Sequence, residues 1–299
     1  MEFNAKVENM NVGSDFQNVN VTLVNGEKKN LKLSDDQSRK LELGKTYHFE
    51  VEPFLKDERE LLKVVSFVGI FEYLQDPVLI KEELKNFYEY APVDMKELKE
   101  SIHNYLNTIQ NKVLSDITKY VFKHYENSFF MYPAAVKFHH AYIGGLAYHT
   151  KVMLDMAKQF ADIYPYLNKD LLYSGILLHD ICKVDELNGF EGGEYTVEGQ
   201  LIGHLVMGSI KVAEAAKILG YEKEEAVLVL NHILLSHHGL PNFGAARKPA
   251  TAEAMLIWYI DTIDSKFTVL GEELEKTQAG DFTQGIAVLD KTRFYKAKL

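Results

Sequence analysis

The sequence predicts an α+β, multidomain chain in which a small N-terminal β-barrel precedes an all-α helical bundle. Three observations lead there. The first seventy residues alternate apolar and polar positions, and from Asp94 onward apolar residues recur every three or four. Eight of the eleven histidines, His139, His140, His149, His179, His204, His232, His237 and His238, fall between residues 139 and 238.

The composition sets limits on function. At 299 residues, 46% hydrophobic and 25% charged, the chain is long enough for a sizeable core and ordinary for a globular protein. A net charge of -10 argues against a broad electrostatic grip on nucleic acid, so a local basic groove or metal ions would have to supply the attraction. The single cysteine, Cys182, cannot form an internal disulfide. No apolar run approaches the roughly 18 residues of a membrane span, and Met1 to Lys6 lacks a basic flank with an apolar stretch. A cytoplasmic protein without a membrane partner is the expectation.

In chain order, Phe3, Ala5 and Val7 begin the alternation. Val19, Val21 and Leu23 continue it, Asn25-Gly26 is a strong hairpin turn, and Leu31 and Leu33 return. Tyr47-Phe49-Val51 and Leu61 to Ile70 complete five strand-like runs, enough for a barrel of the oligonucleotide-binding (OB-like) type. Residues 1–72 are assigned to it. Phe16, Tyr47, Phe49 and Phe54 are candidates for stacking bases, although alternation alone places such rings in the barrel core. Up to residue 70 there are 10 Lys or Arg against 12 Asp or Glu, so this part nets -2. Residues 73–94, with Pro77, Pro92 and many charges, read as a connector holding a short helix, and 95–299 as the helical domain.

Within the helical part, Leu98, Ile102, Tyr105 and Ile109, then Val113, Ile117 and Val121, mark two amphipathic helices. The helix around His149 follows Gly144-Gly145, with His139 and His140 before it as candidates for the pocket mouth and substrate contact, or as structural histidines. An apolar segment from Leu171 to Leu178 ends in His179-Asp180-Ile181-Cys182-Lys183. Imidazole and carboxylate in succession offer two metal ligands that reach one ion near a helix end, and Lys183 places a cation beside them. Thr196 is a candidate N-cap for a helix continuing to His204. Residues 222 to 237 form an apolar helix, with Gly239 as its C-cap and His237-His238 in its last turn. His232, five residues before His237, points elsewhere. Arg247 and Lys248 are the nearest candidate phosphate contacts in the loop that follows. Asp261 lies among apolar neighbours, where an unpaired carboxylate is costly and a metal would answer that cost. Asp264, one turn on, suits orienting a ligand or Lys183. The tail with Phe282, Arg293, Phe294 and Tyr295 yields no role.

The series His149, His179-Asp180, Lys183, His204, His237-His238, Asp261 resembles the HD-domain phosphohydrolase superfamily. More narrowly, Tyr132-Pro133-Ala134-Ala135, Gly145-Leu146-Ala147-Tyr148-His149, Glu198-Gly199, Gly203-His204, Leu235-Ser236-His237-His238-Gly239 and Tyr259-Ile260-Asp261 are similar to the YhaM family of bacterial 3′-to-5′ exoribonucleases. The resemblance covers roughly residues 88 to 296 and implies an OB-like barrel joined to an HD-domain bundle. Two departures stand out. Cys182 occupies a position usually held by glycine, where it would narrow the site or ligate a soft metal, and Gly244 to Pro249 replaces a more usual Gly-Ser-Pro run.

What the resemblance implies is a metal-dependent exonuclease acting on single-stranded RNA, with single-stranded DNA as a second substrate. Two divalent ions per chain are expected, Mn²⁺ first and Fe²⁺, Co²⁺ or Mg²⁺ as alternatives. His149, His179, Asp180 and Asp261 would hold one and His204 and His237 the other, with Asp180 bridging. Lys183, His238 and Asp180 would act in catalysis, and His139, His140, Arg247 and Lys248 on substrate. Two further readings use the same residues: a nucleotide phosphohydrolase or cyclic-nucleotide phosphodiesterase, and a non-catalytic single-strand-binding protein whose helices support a homo-oligomer.

Overall fold

Alternation of Ala5 and Val7, Val19 and Val21, and Phe49 and Val51 gives each strand one apolar side, and closing the sheet on itself buries that side completely. In the computed structural model, which describes residues 1–12, 17–56, 59–135, 140–190 and 194–299, five strands do this. They are β1 (Glu2–Val12), β2 (Gln17–Leu23), β3 (Lys28–Lys32), β4 (Thr46–Lys56) and β5 (Arg59–Gly69), in the closed order β1-β2-β3-β5-β4. The β2-β3 hairpin turns at Asn25-Gly26, with Gly26 at φ 79° and its N–H donating to Leu23 O at 2.8 Å. Parallel pairing of β3 with β5 needs a crossover, supplied by helix α1 (Asp35–Ser38) and β4. Register shifts at Val7/Asn9 and Glu50/Val51 bend the two strands that close the barrel.

Tyr47 and Phe49 turn inward, 7% and 0% exposed, and pack on Phe67 and Phe3. They fill the core and are withdrawn from the stacking platform considered above. Phe54 is half-buried, and Phe16 lies outside the described residues. Residues expected as a connector form α2 (Ile70–Leu74) and α3 (Pro77–Leu84), and the first compact unit runs from Met1 to Tyr90.

The second unit, Ala91–Leu299, is helical. Its longer helices are α4 (Met95–Thr108), α5 (Lys112–Phe129), α6 (Gly145–Ile163), α7 (Lys169–Leu178), α10 (His204–Leu219), α11 (Glu225–Ser236) and α12 (Ala252–Lys276), with short α8 (Lys183–Glu186) and α9 (Val197–Leu201) between α7 and α10. Side-chain caps start most of them: Asp94, Asn111, Asn168, Thr196 and Thr251 each accept from a backbone N–H of the first turn. Helix α7 is buried along Leu172 to Leu178 and packs against α4, α5, α6, α11 and α12. An all-round apolar helix is stable only inside such a ring. No helix among the described residues is long and apolar enough to cross a membrane.

The helix expected to run from Thr196 through His204 is two helices. Gly203 sits at φ 78°, a left-handed conformation that a side-chain-bearing residue adopts only at a cost, and it separates α9 from α10. His204 becomes the first residue of α10 instead of a mid-helix one.

Candidate metal centre

Helix α7 ends at Leu178, and the chain turns through residues 179 to 182 before α8 begins. That turn points Asp180 into the bundle, where it is 3% exposed. His149 comes from α6, His179 from the end of α7, His204 from the start of α10, His237 from the end of α11 and Asp261 from the middle of α12. Two helix C-termini therefore face this point, and their carbonyl ends favour a cation.

Asp180 organises the cluster in two halves. Its Oδ2 lies 3.2 Å from His179 Nε2 and 3.8 Å from His149 Nε2, and Asp261 Oδ1 is 3.4 Å from His149 Nε2. Its Oδ1 lies 3.2 Å from His204 Nε2 and 3.6 Å from His237 Nε2. His238 joins the second half closely enough for one ion to touch Asp180, His204, His237 and His238 together. All six sequence-predicted ligands converge, around one shared carboxylate.

The histidines are oriented by a common device. Each Nδ1 faces an acceptor: Asp264 Oδ2 at 2.6 Å for His149, Ile176 O at 2.7 Å for His179, Glu186 at 2.9 Å for His204, Leu234 O at 2.8 Å for His237 and Phe243 O at 2.7 Å for His238. With Nδ1 committed to these acceptors, Nε2 is the atom each ring offers to a cation, which would displace any proton held there. Five imidazoles thus turn Nε2 toward one region. Asp180 Oδ1, His204 Nε2 and His237 Nε2 are buried and make no hydrogen bond. Buried polar atoms left so are costly, and a divalent cation with mixed imidazole and carboxylate ligands satisfies all three.

Charge distribution agrees. Burial opposes ionisation of Asp180, but His179 and Lys183 outweigh it and hold its carboxyl well below the usual range. Burial likewise opposes charge on His149, and the carboxylates of Asp261 and Asp264 overcome it, pushing the imidazole up to about 9. Burial drives His237 down to about 3, outweighing the opposing pull of Asp180, so this imidazole stays neutral. The site favours positive charge at its centre and keeps a neutral imidazole ready to ligate.

Lys183 donates to Asp180 Oδ2 and to Ala134 O, both at 2.7 Å, so its ammonium is fixed beside the cluster as the sequence predicts. Its pairing is with Asp180, three residues back, because the break after α7 replaces a continuous helical face.

Other expectations change. His140 is 2% exposed, at φ 53°, and its Nε2 meets Asp264 Oδ2 at 2.8 Å and its Nδ1 the Tyr142 hydroxyl at 2.6 Å. A group so enclosed does not line a pocket mouth. A Cβ on Gly145 would come within 2.0 Å of His140 O, so glycine is what lets α6 start against this residue. His139 lies outside the described residues. Asp264 holds His149 and His140, not Lys183. Cys182 is fully buried with its sulfur 3.8 Å from the Tyr125 hydroxyl, and burial pushes the thiol up to about 12. It faces α5, outside every metal-holding group among the described residues, and remains a protonated core thiol. His232 Nε2 accepts from Ala250 N–H at 2.9 Å, a structural role. Arg247 and Lys248 are exposed on the loop that folds back over His238 through Phe243 O.

One functional partner escaped the sequence reading. Glu186 accepts from both the Nδ1–H and the backbone N–H of His204, and sits on α8. Its signal was present: a carboxylate three residues after Lys183 with glycines at 199 and 203 facing it, since a Cβ on Gly199 would meet Glu186 O at 2.3 Å.

A family model described as the HD domain matches residues 146–266, the stretch from α6 to α12 that supplies all six candidate ligands. The 3′-5′ exoribonuclease YhaM of Geobacillus sp. (strain WCH70) is 43% identical over 213 residues, 71% of this chain and 65% of that protein. The proteins of the same name from Bacillus licheniformis and Bacillus subtilis (strain 168) are 41% and 40% identical, covering 72% and 71% of this chain and 68% of each relative. The chain therefore spans about two thirds of the length of the curated relatives it matches. With this likeness, and with the paired histidines and aspartates in one cluster, the chain belongs to the YhaM family.

Proposed function

We propose that this chain is a metal-dependent 3′-to-5′ exoribonuclease that hydrolyses phosphodiester bonds of single-stranded RNA to nucleoside monophosphates. The observation that carries it is the shared carboxylate: Asp180 Oδ1 and Oδ2 each face a separate pair of histidine Nε2 atoms. The direction of attack and the RNA substrate rest on the relatives' names.

His149, His179, Asp180 and Asp261 would hold one divalent cation, and Asp180, His204, His237 and His238 the second, a mixed imidazole and carboxylate set compatible with Mn²⁺, taken first, and with Fe²⁺, Co²⁺ or Mg²⁺ as alternatives. When bound, such a pair supplies Lewis acidity to in-line phosphoryl displacement. Lys183, held by Asp180 and Ala134 O, balances negative charge developing on the phosphoryl oxygens. Burial lowers His238, and its Nδ1–H is committed to Phe243 O, so at neutral pH its Nε2 accepts. It serves as a ligand, not as the acid for the leaving group. Asp264 and Glu186 fix the tautomers of His149 and His204, and His140 fixes Asp264. Arg247 and Lys248 receive backbone phosphates of the strand. Single-stranded DNA as a second substrate, a homo-oligomeric assembly and a cytoplasmic location belong to the same reading.

The test pairs metal analysis with a product assay on 5′-labelled single-stranded RNA. Mn²⁺-loaded protein should shorten the label progressively and release mononucleotides, and chelation should stop it. RNA left intact while free nucleotides or cyclic nucleotides are hydrolysed would replace this reading by a small-nucleotide phosphohydrolase.

A further inference from the structure

The tail that yields no role in the sequence folds as a hairpin on the end of α12. Phe282 and Tyr295 form an antiparallel bridge, as do Ile286 and Thr292. The tip is Asp290-Lys291, both at positive φ (54° and 58°), with Thr292 N–H donating to Leu289 O at 2.9 Å, the turn that matches strand twist. Lys296 ties the hairpin down: its Nζ donates to Leu274 O at 2.7 Å and Thr277 O at 2.9 Å, covering carbonyls at the helix end.

The hairpin has a buried side and an open one. Thr283 and Ile286 are 1% and 5% exposed, and Phe294 N–H donates to Thr283 Oγ1 at 3.0 Å. Phe282 and Tyr295, opposite one another, are both 53% exposed, with ring centroids 5.2 Å apart. Arg293 Nε donates to Thr283 O at 3.0 Å, which holds the guanidinium 5.5 Å from the Phe282 ring centre. Two outward aromatic rings on a backbone pinned at both ends are costly to leave in water, and their mounting gives up little entropy when something stacks on them.

Charge says what kind of partner fits. Residues 280–299 carry Lys291, Arg293, Lys296 and Lys298 against Asp281 and Asp290, four minus two, a segment net of +2 in a chain of net -10. Open aromatic faces with an arginine plane and flanking cations are the chemistry that takes nucleobases and backbone phosphates together. We propose that Phe282, Tyr295 and Arg293 form a stacking platform for single-stranded RNA, engaging the strand upstream of the end held at the metal cluster. The platform lies along α12 from Asp264: twelve residues to Lys276 at 1.5 Å rise give ~18 Å on one rigid element. This inference rests on the exoribonuclease reading for its substrate, but not on which metal is bound.

The experiment measures binding of a fluorescent single-stranded oligouridylate to the full chain by anisotropy, with chelator present to prevent hydrolysis. Replacing Phe282 and Tyr295 together by Ala should weaken binding by at least about fivefold, and up to a hundredfold, from the loss of base stacking. The Phe282→Tyr and Tyr295→Phe pair keeps both rings and should retain wild-type affinity, while Arg293→Gln should flatten the salt dependence of binding. Circular-dichroism melting checks that each variant is folded. Unchanged affinity in the folded alanine variant overturns the platform, as does a change confined to sedimentation mass, which would make the patch a contact between copies. Wild-type protein that neither binds nor shortens RNA overturns the exoribonuclease reading as well, so the two failures are distinguishable.

Discussion

Phe49 in the barrel and His149 in the helical unit are both at most 1% exposed, yet opposite physics keeps them there. Phe49 gains from burial, about 2 to 3 kcal/mol, and asks of Tyr47, Phe67 and Phe3 only that they fill space. His149 is opposed by burial and stays because Asp264 and Asp261 supply hydrogen bonds and compensating charge. The first kind of interior tolerates substitution in proportion to volume lost. In the second, each group answers another's cost, and one deletion leaves several uncompensated.

The sharpest test of that contrast is Asp180→Asn, which preserves shape and removes the charge shared by both halves of the cluster. Activity should fall on the order of a thousandfold or more, several kcal/mol of charge stabilisation, and bound divalent metal measured by mass spectrometry should fall with it. Full activity with wild-type metal content would show that Asp180 is not the bridge.

Phe49→Ala tests the apolar side. It should cost about 3 to 5 kcal/mol of barrel stability in a denaturant melt, with the metal content of the helical unit unchanged. A loss of metal on this substitution would break the separation between the two interiors.

Glu186→Gln comes next. The amide keeps an oxygen for His204 Nδ1–H but loses the charge, so metal affinity in a competition titration should drop about 10- to 100-fold with stability nearly unchanged. Equal affinity would reduce Glu186 to a helix-spacing residue.

The smallest effect lies at the surface, where Asp116 accepts from Lys112 at 2.6 Å and from Tyr221 at 2.7 Å, linking α5 to the turn after α10. Those hydrogen bonds, Lys112 first, depress its carboxyl below the usual 3.8. A depressed folded value means the pair stabilises the protein above that usual value and ceases to as pH falls through the folded one. Asp116→Asn should therefore cost at most about 1 kcal/mol at neutral pH in low salt, and the difference from wild type should vanish in urea melts at strongly acid pH.

Individual residues show where sequence reading works. Asn25-Gly26 and the alternation around Val21 and Phe49 specify the hairpin and the barrel, because turn chemistry and period-two burial are local. His179-Asp180, His204 and His237-His238 stand out as candidate ligands because few other roles justify such residues at the ends of apolar helices. Gly203 was legible only as a glycine, and nothing nearby said that it would end one helix and start another at His204. His140 and Cys182 were misplaced because sequence position next to a site does not fix side-chain direction. Phe282 and Tyr295 are 13 positions apart, and only the hairpin sets them side by side.

By itself, then, the sequence determined the two-part architecture and singled out six candidate ligands, since these follow from periodicity, capping and the cost of burying charge. Only the tertiary structure decided that Asp180 faces both halves, that Glu186 and Asp264 set the histidine tautomers, and that His140 stands behind the ligands. Those relations depend on where helices end and how they cross, distances of a few ångströms between residues up to 128 positions apart in the chain, and no local pattern encodes them.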